Sequence, residues 1–481
     1  MKKRDLEVPW IAILAGLLAE GGLVFGLWLR VLFFRSFPDP FPNPDTWSYL
    51  TGAFGLLQKG QFDLFSLRTP GFPILVWIAL AIFKSFAALN VIHGALTLLS
   101  ALAIGYVVRA FGGAWHLPAA LAASFVVVHP QVLYWEHFVM TEGSFHAVFA
   151  LALCAAALAI VRPTLGRAAV AGVLTALMIL IRPQGLFLMP LLLLALAWSG
   201  RRLGRRKLLW MLAAAVAGPL FLLGGWSARN ARVHGFFGLS NIGPLQLFGV
   251  SARWIELERP AYANDKVLIA DSIRRYRSMS DDIGYVQYAP DGPAVILARS
   301  YGNDERGRDA VYYGLAYEAI LHHPFAFMGR GFATSYKTVT GNARLGRDFD
   351  TNALWDRNWI DLDKHFPVNE YRATVAGTRF PTTERASTFN EYVGPFLGWS
   401  TSFIRVSLGA TLLALLALPL LNGPRRLATA LAALSVILLI LTAGFLSDAS
   451  ERYLSVIHGS AALAGALAIT GLLERWRRAR G

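Results

Sequence analysis

The sequence predicts a mainly α-helical membrane protein that crosses the bilayer about ten times and carries one polar domain on the outer side. Of its 481 residues 55% are hydrophobic and only 16% are charged, and the mean hydropathy is +0.47. A soluble protein of this length would carry about a quarter charged residues. The net charge of +15 lies in short basic clusters between apolar runs. That distribution is typical of cytoplasmic loops and argues against nucleic-acid binding.

Ten apolar runs are long enough to be predicted as spanning helices. They cover residues 8–33, 86–108, 116–135, 143–161, 166–181, 185–199, 207–226, 396–421, 426–446 and 453–473. An eleventh run, 71–84, has roughly fourteen residues and suits a re-entrant or interfacial segment better than a span. If it does not cross, every strong basic cluster, including Arg201–Lys207, falls on one side, as the positive-inside rule requires. Both termini are then expected in the cytoplasm, with the first helix uncleaved.

This topology divides the chain into three predicted parts. Residues 1–226 form an N-terminal transmembrane catalytic module that includes an outer loop, 34–85. Residues 227–395 form a soluble domain of mixed polar character on the outer side, with one helix near 308–337. Residues 396–481 form the C-terminal transmembrane helices. The one cysteine, Cys154, lies in an apolar run, so the chain has neither an intramolecular disulfide nor a Cys-x-x-Cys metal site.

The first outer loop carries a candidate catalytic carboxylate. Prolines hold the loop extended up to Asp45, where a helix is expected to begin. Asp45, Tyr49 and Ala53 then share one face of that helix. From spacing alone we favour Asp45 as a helix N-cap, since Asp is a preferred cap. The alternative is a carboxylate fixed at the membrane surface for proton abstraction or metal binding, and the two roles are compatible.

Two arginines are candidate ligands for an anionic group. Arg68 begins a Pro-rich turn at the outer interface, where an anionic lipid head would lie. The alternative interpretation is that Arg68 merely snorkels to the interface and binds no ligand. Arg182 joins two short helices, so it should lie below the outer surface and line a cavity. There it could bind phosphate oxygens bidentately, or form a salt bridge with a buried carboxylate such as Glu20.

A third candidate region is the outer turn near residue 140. Glu136, His137 and Glu142 form an ionisable cluster at membrane depth, which is a functional candidate, although Glu142 could merely complement the helix dipole. As metal ligands they are weak because no HExxH pattern is present. A carboxylate beside several arginines could bind a lipid-phosphate headgroup and deprotonate a nucleophile. The residues predicted to face that outer compartment are Asp45, Arg68, Glu142, Arg182, Arg229 and Arg452.

The pattern Asp45-x3-Tyr49-x3-Ala53-x3-Leu57-x2-Gly60, followed by Arg68-Thr-Pro-Gly-Phe-Pro73, resembles the first outer loop of the GT-C superfamily of membrane glycosyltransferases. The bacterial mannosyl-, arabinosyl- and aminoarabinosyl-transferase-like members are the most similar. The turns at Met140–Glu142, Arg182-Pro183 and Glu451–Tyr453 also resemble that superfamily. The stretch 251–395 matches no family that we can name.

The resemblance implies transfer of a sugar from a polyprenyl-phosphate carrier to an acceptor glycan, lipid or protein on the outer face of the membrane. It implies that Asp45 is the catalytic base, that Arg68 contacts the donor phosphate and that Glu142 is the second outer acid. Many members double the first-loop acid, but Thr46 follows Asp45 here, which leaves any divalent-metal requirement open. A Trp-Trp-Asp-Tyr-Gly-like motif is absent from the sequence, which disfavours an oligosaccharyltransferase.

The chemistry is consistent with these residues. A polyprenyl phosphate is a good leaving group, so a base near the acceptor hydroxyl and cations near the phosphate suffice. Direct attack on the anomeric carbon would invert its configuration. We assign Arg68, Arg182 and Arg452 to the donor phosphate, and Tyr49, His137, Glu142 and Arg229 to substrate binding. The enzyme would lie in the cell inner (plasma) membrane with its catalytic face periplasmic or extracellular.

The rival function is a transporter or flippase of a lipid-linked or anionic substrate, because cavity arginines and short helices are also transporter features. The sequence shows no inverted repeat, and an outer domain of about 170 residues is large for a transporter. A non-catalytic partner in polysaccharide assembly is a third alternative.

Overall fold

The computed structural model describes residues 8–43, 45–62, 68–112, 116–279, 282–341, 387–447 and 451–480. In these residues the regular secondary structure is helical, and the one β feature is an isolated bridge between Phe41 and Phe138. The mainly α fold class is therefore confirmed.

The described residues of the first half of the chain form ten helices. They are α1 (Val8–Ser36), α2 (Thr46–Lys59), α3 (Gly71–Phe83), α4 (Ala87–Gly112), α5 (His116–Val128), α6 (Pro130–Trp135), α7 (Thr141–Val161), α8 (Leu165–Ile181), α9 (Leu188–Gly200) and α10 (Arg205–Val233). A short 3-10 turn, Pro183–Phe187, joins α8 to α9.

The second half begins with a group of polar helices and ends with apolar ones. The helices are α11 (Ile242–Ser251), α12 (Ala263–Ser278), α13 (Ile283–Tyr288), α14 (Pro293–Tyr301), α15 (Glu305–His322), α16 (Pro324–Thr340), α17 (Gly394–Leu397), α18 (Ser400–Ala417), α19 (Gly423–Leu446) and α20 (His458–Arg480). A 3-10 turn, Glu451–Leu454, precedes α20.

The ten apolar runs predicted to span the membrane are largely helical, but the run 453–473 begins in a 3-10 turn (Glu451–Leu454) and is not among the candidate spans of the described residues. Among the described residues, seven helical stretches are long and apolar enough to cross a bilayer, fewer than the ten predicted. They are Gly16–Ser36, Ala87–Phe111, Thr141–Val161, Pro183–Gly200, Arg205–Val233, Phe389–Leu420 and Gly423–Leu446. Helices α3, α5 and α8 are apolar but shorter. These helices make the chain a membrane protein. The 13 residues of α3 extend only about 20 Å, less than the hydrocarbon thickness, in keeping with a segment that does not cross.

Two predicted helices are each broken by a proline. The run 116–135 divides into α5 and α6 at His129, where the ring Nδ1 of His129 accepts a hydrogen bond from the backbone N–H of Gln131 (3.2 Å). The predicted helix near 308–337 divides into α15 and α16 at Pro324. A proline lacks the N–H needed inside a helix but is tolerated at the first helical position. Both predictions of one continuous helix were therefore wrong.

Helix α7 lies at the centre of the membrane bundle. In its most apolar stretch 83% of the residues are buried, the largest share among the seven candidate spans of the described chain. It packs against α4 on one side and α8 on the other. The residue at its second position, Glu142, is 1% exposed and so begins a helix that lipid hardly reaches. This position fixes the depth of the site described below.

Helices α11–α15 enclose a second, smaller core. Its fully buried members include Phe248, Ile269, Ile273 and Leu315. The described part of residues 227–395 is helical, while 342–386 lie outside the described residues, and the outer position of this polar domain stays a prediction. Helix α10 also continues to Val233, past the predicted end of the first module at 226.

Helix α16 connects this polar group to the bundle by packing along α19. Gly331 faces the ring of Phe445, and the hydroxyl of Ser335 donates to the backbone carbonyl of Ile440 (3.4 Å). The side chain of Arg330 donates to the carbonyl of Ser447 at 3.3 Å, at the end of α19. The polar helices are thus held next to the turn that carries Arg452.

Candidate active site

A cavity of about 570 Å³ lies at the end of the bundle where α2 and α7 begin and α8 ends. Its wall combines charged groups with apolar side chains from both halves of the chain. The predicted site residues in this wall are Asp45, Tyr49, Arg68, Glu142, Arg182 and Arg452. Six of the eight predicted site residues are therefore brought to one cavity, across a sequence separation of about 400 residues.

Asp45 is held between two arginines. Its Oδ1 accepts a hydrogen bond from Nη2 of Arg68 at 3.1 Å, and its Oδ2 accepts one from Nη1 of Arg452 at 3.0 Å. The residue stands at the N-cap position of α2, but in the described structure its side chain makes no capping hydrogen bond. The interpretation of Asp45 as a capping side chain was therefore wrong. Its carboxylate points into the cavity instead.

Arg68 is positioned by the first two turns of α2. Its Nε donates to the hydroxyl of Ser48 at 2.8 Å, and its guanidinium lies 4.6 Å from the centre of the Tyr49 ring. Asp45, Ser48 and Tyr49 follow at helical spacings of three and four residues, so they share one face of the helix. That face fixes the plane of the guanidinium group.

Glu142 and Arg182 form a second, more buried ion pair. Their closest atoms, Oε1 and Nη1, are 2.8 Å apart, and the two side chains are 1% and 12% exposed. The partner of Arg182 is thus Glu142 and not Glu20, whose residue is exposed on α1. Because Nε of Arg452 lies 3.9 Å from the same glutamate oxygen, Glu142 also links the two ion pairs.

The five charged groups form a continuous row with alternating sign. The order is Arg68, Asp45, Arg452, Glu142 and Arg182. Three arginines against two carboxylates leave one net positive charge in the row. A cavity of this kind favours an anionic ligand, and guanidinium groups are suited to phosphate oxygens.

Tyr453 contacts Arg452 and Arg182, the two arginines nearest Glu142 in this row. The guanidinium of Arg182 lies 5.1 Å from its ring centre and that of Arg452 lies 5.2 Å away. The Tyr453 hydroxyl accepts a hydrogen bond from Nη2 of Arg452 (3.2 Å) and bonds to the hydroxyl of Ser447 (2.6 Å). An aromatic ring next to both guanidinium groups attracts them through its quadrupole and limits their movement.

The charges around Asp45 decide its ionisation. Burial acts to raise the pKa of the Asp45 carboxyl group, but the positive charges of Arg68 and Arg452 outweigh burial and hold that pKa below its ordinary value of 3.8. Asp45 is therefore a carboxylate at neutral pH.

Two of the predicted substrate-binding residues lie away from this cavity. His137 is 2% exposed, stacks on Phe33 with ring centres 3.6 Å apart and bonds through Nδ1 to the carbonyl of Leu133. Arg229 donates to the carbonyl of Phe62 at 2.6 Å. Neither residue belongs to the cavity wall. These contacts indicate that both residues stabilise the fold.

The predicted cluster of Glu136, His137 and Glu142 is also divided. Glu136 forms a buried ion pair with Arg30, whose Nη2 lies 2.7 Å from its Oε1. In the described part of the chain, no group of three His, Cys, Asp or Glu side chains could hold a metal ion.

Several cavity residues carried no signal in the sequence. Gln184 follows the arginine-proline junction, while Gln246 and Tyr288 come from the polar helices α11 and α13. Uncharged polar residues in a region without a recognisable pattern cannot be distinguished from ordinary surface residues before the chain is folded.

The chain has a distant likeness to a solved structure. No known family matches the sequence, and no curated protein matches it. A solved structure of the archaeal oligosaccharyltransferase AglB from Archaeoglobus fulgidus, in complex with an inhibitory peptide and a dolichol-phosphate, superposes with a TM-score of 0.47 and 13% identity. The match covers 96% of this chain and 51% of that one, so the chain spans about half the length of the structure it resembles.

Proposed function

We propose that this protein is an inverting glycosyltransferase that moves a sugar from a polyprenyl-phosphate carrier to an acceptor on the outer face of the membrane. The observation that carries the proposal is the position of Asp45. Its carboxylate is ionised and held by Arg68 and Arg452 inside a cavity that also contains the Arg182–Glu142 pair. A candidate base and three guanidinium groups suited to phosphate thus line the same cavity.

The arginines are suited to a leaving phosphate. Asp45 and Glu142 neutralise only two of the three guanidinium charges, so an incoming phosphate adds charge complementarity to the row. It competes with Asp45 for Arg68 and Arg452. As those arginines turn to the phosphate, their pull on Asp45 weakens and its pKa rises. Donor binding therefore makes Asp45 a better base at the stage when a base is needed.

The transfer step balances without a further reactant. The acceptor oxygen attacks the anomeric carbon as its proton passes to a carboxylate oxygen of Asp45. The bond between that carbon and the phosphate oxygen breaks, and the phosphate leaves with the bonding electrons. Arg68, Arg182 and Arg452 stabilise the negative charge that develops on the leaving group. Attack opposite the leaving phosphate inverts the anomeric configuration.

The apolar part of the cavity wall supports a lipid-linked donor. Ile181, Leu186, Phe187 and Leu446 contribute to the wall beside the charged row. A free nucleotide sugar would gain little from these side chains, whereas an isoprenoid chain gains about 25 cal/mol for each Å² of apolar surface it buries there.

The test is a transfer assay with purified protein, a polyprenyl-phosphate sugar and candidate acceptors. We expect Asp45→Asn to keep its thermal stability within a few degrees and to bind the lipid donor. We expect its turnover to fall by about 10² to 10⁴-fold, the usual contribution of a positioned acid or base. The matched control is Asp271→Asn, which removes the same charge from a side chain that is 95% exposed and does not line the cavity.

Near-normal turnover of Asp45→Asn would contradict the proposal that Asp45 is the general base. A wild-type protein that carries lipid-linked sugar across vesicles but transfers none to any acceptor would favour the transporter alternative.

A further inference from the structure

A second cavity lies at the other end of the membrane bundle. Its volume is about 970 Å³, larger than that of the candidate active site. Helices α4 and α7 end beside it, and α5 and α8 begin beside it, with Arg109, His116, Arg162 and Arg167 in its wall. Helix α7 runs from Glu142 to the residue before Arg162, so the two cavities are separated by about 30 Å, the thickness of the hydrocarbon core.

The polar part of this wall is basic. None of the described residues in the wall is acidic. Arg167 donates from Nη1 to the carbonyl of Leu158 at 3.2 Å, which leaves its remaining N–H groups for a ligand. In the described chain, Arg109 and Arg162 form no salt bridge. Their charges are therefore available to an anion, unlike those of the arginines around Asp45.

The rest of the wall is apolar and partly open at its side. Leu23, Leu158 and Val161 line it together with the small residues of α5. On α4, Leu102 and Tyr106 are 58% and 62% exposed, so the cavity wall continues onto a helix face that the bilayer covers. A ligand that fits must carry both a negative head and an apolar tail.

We propose that this cavity binds the phosphate headgroup of an anionic phospholipid from the leaflet opposite the candidate active site. The arginines bind the phosphate oxygens, and the acyl chains leave past Leu102 and Tyr106 along α4. The basic loop Arg201–Lys207 connects α9 to α10 at the same end of the bundle. An excess of basic residues marks the cytoplasmic side, whose leaflet carries the anionic lipids.

The experiment is a native mass-spectrometry titration of the full-length protein in neutral detergent with dioleoyl-phosphatidylglycerol and dioleoyl-phosphatidylcholine. The cavity variant is Arg109→Gln/Arg162→Gln/Arg167→Gln. The control is Arg202→Gln/Arg205→Gln/Arg206→Gln, which removes three exposed charges at the same end but outside the cavity. We expect the wild type and the control to prefer phosphatidylglycerol. The cavity variant should lose that preference by tenfold or more, since each arginine near an anionic headgroup contributes about a fivefold effect.

A second variant removes the space and keeps the charges. Ala120→Leu on α5 places a larger side chain in the cavity wall, and we expect it to weaken phosphatidylglycerol binding although every arginine is present. An equal loss in the cavity and control variants would overturn the proposal in favour of diffuse surface attraction. Complete displacement of the lipid by millimolar inorganic phosphate would overturn it in favour of a soluble anion. Both readouts are binding measurements, so they are independent of sugar transfer.

Discussion

At the scale of single residues, the function of Asp45 depends on charges that come from distant parts of the chain. Arg68 and Arg452 lie 23 and 407 residues away in sequence, yet both bond to the same carboxylate. Sequence reasoning favoured a cap because the carboxylate stands where helix α2 begins. In the structure both carboxylate oxygens instead accept hydrogen bonds from guanidinium groups. Each guanidinium carries a full positive charge, whereas a backbone N–H carries only a partial one, so the arginines attract the carboxylate more strongly.

The depressed pKa of Asp45 predicts a particular pH dependence of stability. A carboxyl group with a lowered pKa in the folded state contributes stability above its unfolded pKa, and that stability is lost as the pH falls through the folded pKa. We expect the difference in melting temperature between the wild type and Asp45→Asn to be constant from pH 5 to pH 8. It should shrink only below the ordinary value of 3.8. A difference that changes between pH 6 and pH 7 would contradict this assignment.

The buried pair of Glu142 and Arg182 predicts strong energetic coupling. Glu142→Gln leaves the guanidinium of Arg182 largely buried without its nearest carboxylate, and we expect a loss of about 3 kcal/mol in unfolding free energy. Arg182→Gln should have a similar cost. Because each single variant leaves one charge unpaired, the double variant should lose less than the sum. Additive losses in denaturant titrations would show that the pair contributes little.

At the scale of helices, the site depends on a close contact between α3 and α8. A Cβ atom at Gly71 would lie 2.6 Å from the backbone atoms of Leu180 and Ile181. The hydroxyl of Thr69 donates to the carbonyl of Ile181 at 3.4 Å, which adds a polar contact to the same crossing. This contact brings Arg68 and Arg182 to the same cavity, since each stands next to one of the two contacting segments.

Gly71→Ala should therefore disturb the site through packing. We expect it to lower the unfolding free energy by about 1–3 kcal/mol, the usual cost of overpacking, because the clash is with backbone that cannot rotate away. We also expect weaker donor binding. The control is Gly166→Ala on α8, where a Cβ atom meets nothing within 4 Å. If thermal unfolding and donor binding were equally unaffected in both variants, the contact would not position the arginines.

At the scale of the whole molecule, the expected orientation places the polar helices and the candidate active site outside and the loop Arg201–Lys207 inside. The sole cysteine of the chain, Cys154, is buried, so the wild type serves as the unlabelled control. In intact cells, an impermeant maleimide should label Asn303→Cys and should not label Arg202→Cys; both positions are exposed. The reverse pattern would invert the topology and place the candidate active site in the cytoplasm.

The sequence by itself determined most of the apolar helices and the residues with unusual chemistry, but not the polar helices α11–α14 or the breaks at His129 and Pro324. Apolar length sets membrane helices because the backbone must satisfy its own hydrogen bonds in lipid, and this requirement is local. Local rules also located Asp45, Arg68, Glu142, Arg182 and Arg452, since charged residues beside apolar runs are conspicuous. The same rules did not exclude His137 and Arg229 from the predicted substrate site, because the contacts that hold these two side chains elsewhere depend on the fold.

Only the tertiary structure decided how the charges pair and which side chains share a cavity. The choice of Glu142 over Glu20 as the partner of Arg182, and the entry of Tyr288 from the polar helices, follow from helix packing across long sequence separations. The physical reason is that ion pairing depends on distance and burial, and neither can be obtained from spacing along a chain.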